Sequence, residues 1–436
     1  MAISRRKFLT GGALTAAALG APHPFQRALL GASNAWAGPA GAIVVLVQME
    51  GGNDGLNTVI PIDDAPGHAQ RSLYESARPD IGIPVANLLD TEIDPDPVKG
   101  NRLALHPSLA PLHDVYAAGS VAVLNGIAYP NQNLSHFRSE DIWYSADPLN
   151  PFVDGWFGRY LDSAFTSSDL VTVDFDKTLN PTFISSDSNV LAVGSLAEFE
   201  LTDDALYPDL ASKIAALTAA YAVEADPLET SGTQNSVGKS GNVLLGALSD
   251  YQAVDVTWPS NLNGKPGRLA RRLKDVSSIL RNDVLTGTPV GARFFHVRQG
   301  GYDTHSNQGG LTGRQADLFT ELATDLKAFY EDTVDLGIAN KVLILTFSEF
   351  GRRVAQNGGN GTDHGEASVM FAIGDAVVGG VYGAVPALND LNKGNLKVHT
   401  DFRRVYATVI DKWLASPGAH APLLPGGPFT TLGFLT

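Results

Sequence analysis

Acidic and histidine side chains stand inside short glycine-rich segments at three distant points of the sequence. The segments are residues 51–55 (Gly-Gly-Asn-Asp-Gly), 300–305 (Gly-Gly-Tyr-Asp-Thr-His) and 362–365 (Thr-Asp-His-Gly). Hard divalent cations bind carboxylate oxygen, zinc and manganese also accept imidazole nitrogen, and glycine lets a backbone fold closely around an ion. Each segment alone is more typical of turn chemistry, but the three together predict a metal site.

The predicted metal ligands are the carboxylates and imidazoles of these segments. Cysteine is absent from the whole chain, so thiolate ligands are excluded and any metal must be held by oxygen and nitrogen. This donor set predicts one or two divalent ions, with zinc and manganese as the best matches. The candidate ligands are Asp54, Asp303, His305, Asp363 and His364.

Buried strands are predicted between the segments, because short continuous apolar runs rich in β-branched residues recur along the chain. Amphipathic helical patterns fall between several of these runs, and the clearest helix covers about residues 312–334. This alternation predicts an α/β fold with three α/β/α layers and a largely parallel central sheet. The predicted strands are residues 42–48, 121–124, 293–297, 342–347 and 369–373.

The candidate ligands follow the predicted strands. Asp54 comes after the first strand, Asp303 and His305 follow the strand ending near residue 297, and Asp363 and His364 lie between the last two strands. Ligands of open α/β sheets bind outside the carboxyl ends of the strands. If the strands are parallel, all of these side chains meet at one edge of the sheet.

The first residues have the pattern of a twin-arginine export signal. Residues 4–9 (Ser-Arg-Arg-Lys-Phe-Leu) precede an apolar stretch and a small-residue cleavage site at 35–37 (Ala-Trp-Ala). We therefore predict a signal peptide at residues 1–37, recognition by the twin-arginine export machinery, and a periplasmic or extracellular location. Residues 38–436 are predicted to form a single domain with a helical insertion around residues 205–260.

The charge of the chain limits its partners. Removing the four basic residues of the signal from the chain's 31 basic and 46 acidic residues leaves a net charge of −19. This charge argues against nucleic acid as a partner. Beyond the signal, no run reaches the roughly 18 apolar residues of a membrane span, so no membrane span is predicted in the mature chain.

Six short motifs carry a family resemblance, and they are distributed over essentially the whole mature chain. They are residues 51–57 (Gly-Gly-Asn-Asp-Gly-Leu-Asn), 134–137 (Leu-Ser-His-Phe), 301–305 (Gly-Tyr-Asp-Thr-His), 348–352 (Ser-Glu-Phe-Gly-Arg), 362–365 and 400–403 (Thr-Asp-Phe-Arg). In these motifs the chain resembles exported proteins of the DUF1501 type, which are similar to the alkaline phosphatase and sulfatase superfamily. The resemblance implies an alkaline phosphatase-like fold.

The resemblance also implies two metal positions. One would be shared by Asp54, Asp363 and His364, and a second would be held by Asp303 and His305. Superfamily members usually space the second pair more widely. Their last histidine, near the C-terminus, has only His399 as a counterpart in this chain.

The superfamily nucleophile stands at a helix N-terminus, where backbone N–H groups and the helix dipole favour an anion. Ser135 is the best match, with capping of the helix by Asn133 or Ser135 alone as the alternative. Thr58 is the second candidate, and His136 could be a ligand, a general acid or a packed helix residue. Candidate substrate-binding residues are Asn53, Glu349 and Arg352.

Two functions follow from these observations. The first is an exported metal-dependent hydrolase that acts on a phosphate or sulfate ester, either a small molecule or a polymer. The alternative is a non-catalytic exported protein of the same fold that binds a partner or a surface polymer. A redox protein is weaker, because the chain lacks a dinucleotide fingerprint, a haem motif and iron–sulfur cysteines.

Overall fold

The computed structural model describes residues 41–436, with gaps at 66–67, 152–153, 166–169, 186–188, 200–208, 225–240, 242, 244, 249 and 287–288. The predicted signal peptide at residues 1–37 lies outside the described residues. The described chain divides into two compact units. The larger unit comprises the described residues of Trp36–Trp143, Ser260–Leu273 and Val297–Thr436, and the smaller comprises those of Tyr144–Pro259 and Lys274–His296.

Strands and helices alternate along the chain. The strands are β1 Ile43–Glu50, β2 Val59–Pro61, β3 Glu92–Ile93, β4 Leu103–Leu105, β5 Val121–Ala128, β6 Thr172–Asp174, β7 Val190–Ala192, β8 Phe294–Gly300, β9 Val342–Phe347, β10 Gly351–Arg352, β11 His364–Gly365, β12 Ser368–Ile373, β13 Gly380–Tyr382 and β14 Thr400–Asp401. The helices are α1 Gly55–Thr58, α2 Arg71–Ala77, α3 Ala110–Ala117, α4 His136–Ser145, α5 Trp156–Ala164, α6 Leu210–Glu224, α7 Arg268–Leu285, α8 Arg314–Asp335 and α9 Phe402–Val409.

The sheet of the larger unit has the order β13-β5-β12-β9-β1. β1 pairs with β9 in parallel, β13 and β14 pair with β5 in parallel, and β12 is antiparallel to both β9 and β5. β5, β9 and β12 are buried along their whole lengths, as their continuous apolar sequences predict. The protein is thus a mixed α/β fold with a large, mostly parallel central sheet flanked by helices, which confirms the predicted fold class.

The antiparallel strand β12 determines where the candidate ligand His364 lies. β12 starts beside the end of β9, so the chain between them begins and ends at the carboxyl edge of β9. His364 lies in this connection, four residues before Ser368. β5 points in the same direction as β9 because both are antiparallel to β12. The segment after β5, which leads to His136, therefore starts at the same edge.

The smaller unit contains a short parallel sheet. β6 pairs with β7 and with residues 294–296 of β8. The helix α6 lies within the helical insertion predicted around residues 205–260, and the described residues between 241 and 252 are also helical. The role of these helices as an insertion stays a prediction. No helix in the described ranges is both long and apolar enough to cross a membrane.

The long helix α8 matches the helix predicted over about residues 312–334. It packs against α3 and buries an apolar stripe that includes Phe319, Leu322, Leu326 and Phe329. The buried residues of this helix also include the acidic Asp325, which is only 2% exposed. Among the described residues its Oδ2 atom has no hydrogen-bond partner. Burial, with a smaller contribution from the negative charge of Glu321, raises the pKa of Asp325 to about 7.

This buried carboxyl should make stability depend on pH. The folded pKa of Asp325 lies above the ordinary value of 3.8, so its stabilising contribution is complete below about pH 4 and is lost as pH rises through about 7. Asp325→Asn removes the ionisation and should raise the free energy of unfolding at pH 8 by on the order of 2 kcal/mol. Urea denaturation at pH 5 and pH 8 measures the effect.

The contrasting variant on the same helix is Asp332→Asn. Asp332 is equally buried but accepts hydrogen bonds from Ser260 Oγ at 2.6 Å and Asn261 N at 2.7 Å. Its replacement should destabilise the protein, because hydrogen bonds to a carboxylate are lost. A destabilised Asp325→Asn protein at pH 8 would contradict the assignment of Asp325 as a buried acid whose ionised form is disfavoured.

Candidate metal centre

Glycines let the candidate loops of the larger unit approach one another. Gly51 and Gly52 follow β1 with φ angles of 120° and 85°, a region that other residues rarely adopt. A Cβ atom on Gly51 would lie 2.3 Å from the backbone nitrogen of Asp303. A Cβ atom on Gly361 would lie 2.4 Å from the backbone of His305. The three glycine-rich segments therefore pack backbone against backbone, as the sequence suggests.

Three side chains converge where these loops meet. His136 is the first residue of α4, Asp303 follows β8, and His364 begins β11. Each offers one ligand atom, and these atoms all lie within 4.8 Å of one another. The His136 Nε2 atom is 3.6 Å from Asp303 Oδ2, and the His364 Nε2 atom is 3.2 Å from Asp303 Oδ1. The Asp303 side chain is 46% exposed, so the cluster is open to a ligand from solvent.

His305 brings a third imidazole nitrogen next to the cluster. Its Nε2 atom lies 2.9 Å from His364 Nε2 and 3.2 Å from Asp303 Oδ1. A tetrahedral zinc ion with bonds of about 2.0–2.1 Å has its ligands roughly 3.3 Å apart. The distances from Asp303 to each histidine and from His305 to His364, 2.9–3.6 Å, bracket that value, so imidazoles and a carboxylate offer a zinc-type donor set. His305 lies outside the group of three residues whose ligand atoms are all within 4.8 Å of one another. Manganese accepts the same nitrogen and oxygen donors.

The orientation of His364 points to a cation in the cluster. Its Nδ1 atom lies 2.8 Å from the carbonyl oxygen of Leu134, which can only accept, so Nδ1 carries the proton. The Nε2 lone pair of the neutral ring then faces the Asp303 carboxylate, and two acceptors in contact repel one another unless a cation lies between them. Burial lowers the pKa of His364, which disfavours a proton on Nε2.

His136 is oriented in the same way by a buried carboxylate. Its Nδ1–H donates to Glu349 Oε1 at 2.7 Å, and Glu349 is fully buried. The same carboxylate accepts the backbone N–H of Gly51. This hydrogen bond to Glu349 raises the pKa of His136. A carboxylate on one ring nitrogen directs the other toward a metal and increases its basicity.

Glu349 was predicted from the sequence to bind substrate, but the structure places it behind His136, out of reach of solvent. Sequence reasoning missed this orienting role, as it missed the Leu134 carbonyl. In the sequence, Glu349 is only a glutamate close behind a buried strand. That position does not predict which side chain the carboxylate contacts.

Arg352, the second predicted substrate contact, is also fully buried. Its guanidinium donates to the carbonyl oxygens of Gly51, Gly52, Tyr302 and Thr362, with distances of 2.8 Å to Gly52 and 2.9 Å to each of the last two. It also donates to Asp303 Oδ1 at 2.8 Å. The guanidinium thus ties the three glycine-rich segments together and is not placed to clamp a substrate.

The Asp303 carboxyl stays ionised because of these neighbours. Burial alone would raise its pKa, but the hydrogen bond from Arg352 and the positive charge of that guanidinium lower the pKa to about 2. The carboxylate is therefore available to a cation at any pH near neutrality.

Asp54 lies apart from the cluster, in a buried ion pair. Arg78 donates to Asp54 Oδ2 at 2.6 Å and to Oδ1 at 2.9 Å, and both side chains are fully buried. Gln308 Nε2 donates to the same Oδ2 atom at 2.6 Å. The resemblance implied that Asp54, Asp363 and His364 share one ion. The structure does not bring these three side chains together. A guanidinium supplies the positive charge instead.

Asp363 stands behind His305. Its Oδ1 atom lies 3.4 Å from His305 Nδ1 and accepts a hydrogen bond from Asn357 at 3.0 Å. The hydrogen bond from Asn357 lowers the pKa of Asp363. Asp363 therefore orients a cluster imidazole.

The described His399 side chain is exposed, and its atoms are not part of the cluster.

The two candidate nucleophiles have different surroundings. Thr58 is buried, and its hydroxyl donates to the backbone carbonyl of Asp54 at 2.8 Å. Asn53, the third predicted substrate contact, is buried against Thr58 through a 3.0 Å hydrogen bond. Ser135 is exposed and lies between Leu134 and His136, which both contact the cluster. Its role as nucleophile stays a prediction.

The fold and this cluster define an α/β protein with a candidate metal centre of three histidines and one aspartate. Residues 288–413 match the family model described as "Protein of unknown function (DUF1501)". The matched part contains Asp303, His305 and His364 but neither Asp54 nor His136. No curated protein matches the chain in sequence.

Two solved structures are similar in overall fold. A sulfatase (PsFucS1) from Pseudoalteromonas sp. has 11% sequence identity and a TM-score of 0.32, with 90% of this chain and 73% of that chain covered. The lipoteichoic acid synthase LtaP from Listeria monocytogenes has 11% identity and a TM-score of 0.31, with 91% and 80% covered. Both TM-scores are low, so the likeness assigns no site and no activity to this chain.

Proposed function

We propose that the chain is an exported metal-dependent hydrolase of phosphate or sulfate esters, with one divalent ion held by His136, Asp303, His305 and His364. The observation that carries the proposal is the contact between the His364 Nε2 lone pair and the Asp303 carboxylate, with Nδ1 already committed to the Leu134 carbonyl. Zinc and manganese suit these donors. Residues 1–37 would direct the protein to the periplasm or outside the cell.

The residues of the cluster have separate tasks in this proposal. A bound divalent ion would polarise an ester oxygen and favour attack at phosphorus or sulfur. Glu349 and the Leu134 carbonyl hold His136 and His364 with their Nε2 atoms inward, and Arg352 holds Asp303. These groups fix the cluster before substrate arrives, so little reorganisation is needed during the reaction.

Ser135 is the proposed nucleophile at the rim of the cluster. Its hydroxyl oxygen attacks phosphorus or sulfur, the hydroxyl proton passes to solvent, and the alcohol departs after taking a proton from solvent. Water then releases phosphate or sulfate from the serine. The exposure of Ser135 supports this role over Thr58, whose hydroxyl is enclosed and hydrogen-bonded to backbone.

The test is a metal and activity measurement on the full chain purified from an exporting host. We expect bound zinc or manganese, and hydrolysis of at least one class among aryl phosphate monoesters, diesters and aryl sulfates. His399→Gln is the matched control, because this histidine lies outside the cluster and should leave metal content and hydrolysis unchanged. A stable protein that takes up no metal and cleaves none of these esters would overturn the proposal.

A second candidate function is favoured by the Asp54–Arg78 pair. The resemblance implies that Asp54 is a metal ligand, but in the structure its carboxylate is paired with the Arg78 guanidinium. The chain could then be a non-catalytic exported protein in which one metal only stabilises the loops and a surface binds a partner or polymer. In that case metal removal would lower the melting temperature, and the loaded protein would cleave none of the esters.

A further inference from the structure

A charged cavity of about 340 Å³ lies within the larger unit, beside the candidate metal centre. Small-molecule sites are typically about 300–1,000 Å³, so the cavity can hold a small ligand or one end of a larger one. Its walls come from the ends of β1 and β8, the start of α7 and one residue of α8. The charged side chains among them are Glu50, Arg268, Arg272, Arg298 and Glu321.

The lining carries three guanidinium groups against two carboxylates, in a chain whose overall net charge is −15. Each carboxylate is held at the wall. Glu50 Oε1 pairs with Arg298 at 3.0 Å. Glu321 lies against Gly267, since a Cβ atom on that glycine would be 2.2 Å from Glu321 Oε1. The excess of positive charge in the lining favours an anion in the cavity.

Two of the arginines are placed side by side. Arg268 and Arg272 are four residues apart on α7, so they project from the same face of the helix. Arg272 donates to the backbone carbonyl oxygen of Arg298 at 2.6 Å, and this hydrogen bond holds its guanidinium at the cavity wall. The planar guanidinium fork matches the oxygen spacing of carboxylate, phosphate and sulfate.

The cavity and the metal cluster share their supporting loops. Gly300 lines the cavity and is three residues before Asp303, so their Cα atoms are at most about 11 Å apart. Glu50 lines the cavity and precedes Gly51, whose N–H donates to the Glu349 carboxylate that orients His136. The cavity wall and the cluster are therefore separated by about the length of a small ligand.

We propose that this cavity binds a second anionic group of the ester substrate, a carboxylate, phosphate or sulfate carried roughly 10 Å from the ester that is cleaved. The substrate class is then a polyanionic ester, and Arg268 and Arg272 determine this specificity. The statement about substrate rests on the proposed hydrolase function, whereas binding of an oxyanion to the cavity does not.

The first experiment measures binding of inorganic sulfate by calorimetry to the full chain carrying Asp303→Asn, which weakens metal binding at the cluster, so that less sulfate binds through a metal ion. Adding Arg268→Gln or Arg272→Gln should weaken sulfate binding about tenfold or more, because charge-assisted hydrogen bonds are lost. Arg271→Gln is the matched control, since Arg271 is exposed on the same helix and does not line the cavity. Equal sulfate affinity in all four proteins would overturn the proposal.

The second experiment tests whether the anion bound in the cavity is part of the ester substrate. It uses the full chain and two substrates, a plain aryl phosphate and an aryl phosphate that carries a distal carboxylate. Arg268→Gln should lower the ratio of kcat/KM for the carboxylate-bearing substrate to kcat/KM for the plain substrate about tenfold. An unchanged ratio would overturn the substrate assignment. If no ester is cleaved but sulfate binding depends on Arg268 and Arg272, the hydrolase function fails and the oxyanion cavity stands. Folding of each variant is checked by its denaturation midpoint.

Discussion

Asp303→Asn is expected to reduce metal affinity and ester hydrolysis at least about 100-fold, because loss of a group that only supports a ligand already costs 10- to 100-fold. Asp303 contributes the one carboxylate of the cluster and contacts His136, His305 and His364. The amide keeps the shape of the side chain but removes the negative charge that holds a cation. Isothermal titration with zinc and manganese, followed by steady-state assays, measures both effects.

Asp363→Asn is the informative companion. Asp363 contacts His305 Nδ1 on the side away from the cluster, so its replacement should reduce metal affinity by only about tenfold. The resemblance implies the reverse, since it makes Asp363 a direct ligand together with Asp54. A loss in Asp363→Asn that equals or exceeds the loss in Asp303→Asn would therefore contradict the cluster described here.

The second large effect is expected in stability. Arg352→Lys should lower the free energy of unfolding of the metal-free protein by about 3–5 kcal/mol, the usual cost of breaking a buried charged network. The guanidinium contacts four backbone carbonyls and one carboxylate from three segments. An ammonium group has three donors on a flexible stem and cannot reproduce that fork.

The measurement is urea denaturation in the presence of a chelator, so that altered metal binding does not contribute. The neighbouring Arg353 gives a matched control. It is exposed and donates to the carbonyl of Lys393, so Arg353→Lys should change stability by less than about 0.5 kcal/mol. A loss below about 1 kcal/mol in Arg352→Lys would show that the segments are held together by other contacts.

The sheet and the long helix were predictable because their sequences allow few alternatives. The apolar runs at residues 42–48 and 342–347 became the parallel pair β1 and β9, and the period of apolar residues in α8 located that helix to within two residues. Strand direction was not predictable in the same way. The apolar run at residues 369–373 predicts a buried strand but not the direction of that strand in the sheet. Only its pairing shows that β12 is antiparallel.

The candidate site was predictable in its segments but not in its partners. Glycine in these segments signalled close approach around a site, and the structure shows backbone approach at Gly51. Asp54 and Asp303 have almost the same local sequence chemistry, an aspartate after glycines that follow a strand. Their roles differ because Arg78 meets the first and histidines meet the second. Such partners come from distant positions, so one sequence does not distinguish a metal ligand from an internal ion pair.

Buried charge also changed the interpretation of two residues. Glutamate and arginine after a strand are typical of a binding loop, and Glu349 and Arg352 were predicted as substrate contacts. Both are fully buried, and each of them contacts a cluster residue from behind. Burial of this kind depends on how β10 and the glycine-rich segments pack, which composition and spacing do not encode.

Anomalous diffraction at the zinc and manganese edges, from crystals of the full chain purified from an exporting host, is the most direct test of the central claim. The account predicts one ion within about 2.0–2.2 Å of an Asp303 oxygen and of the Nε2 atoms of His136, His305 and His364, with the Asp54 carboxylate still paired with Arg78. An ion bound by Asp54, or no ion at the cluster after loading with either metal, would contradict it.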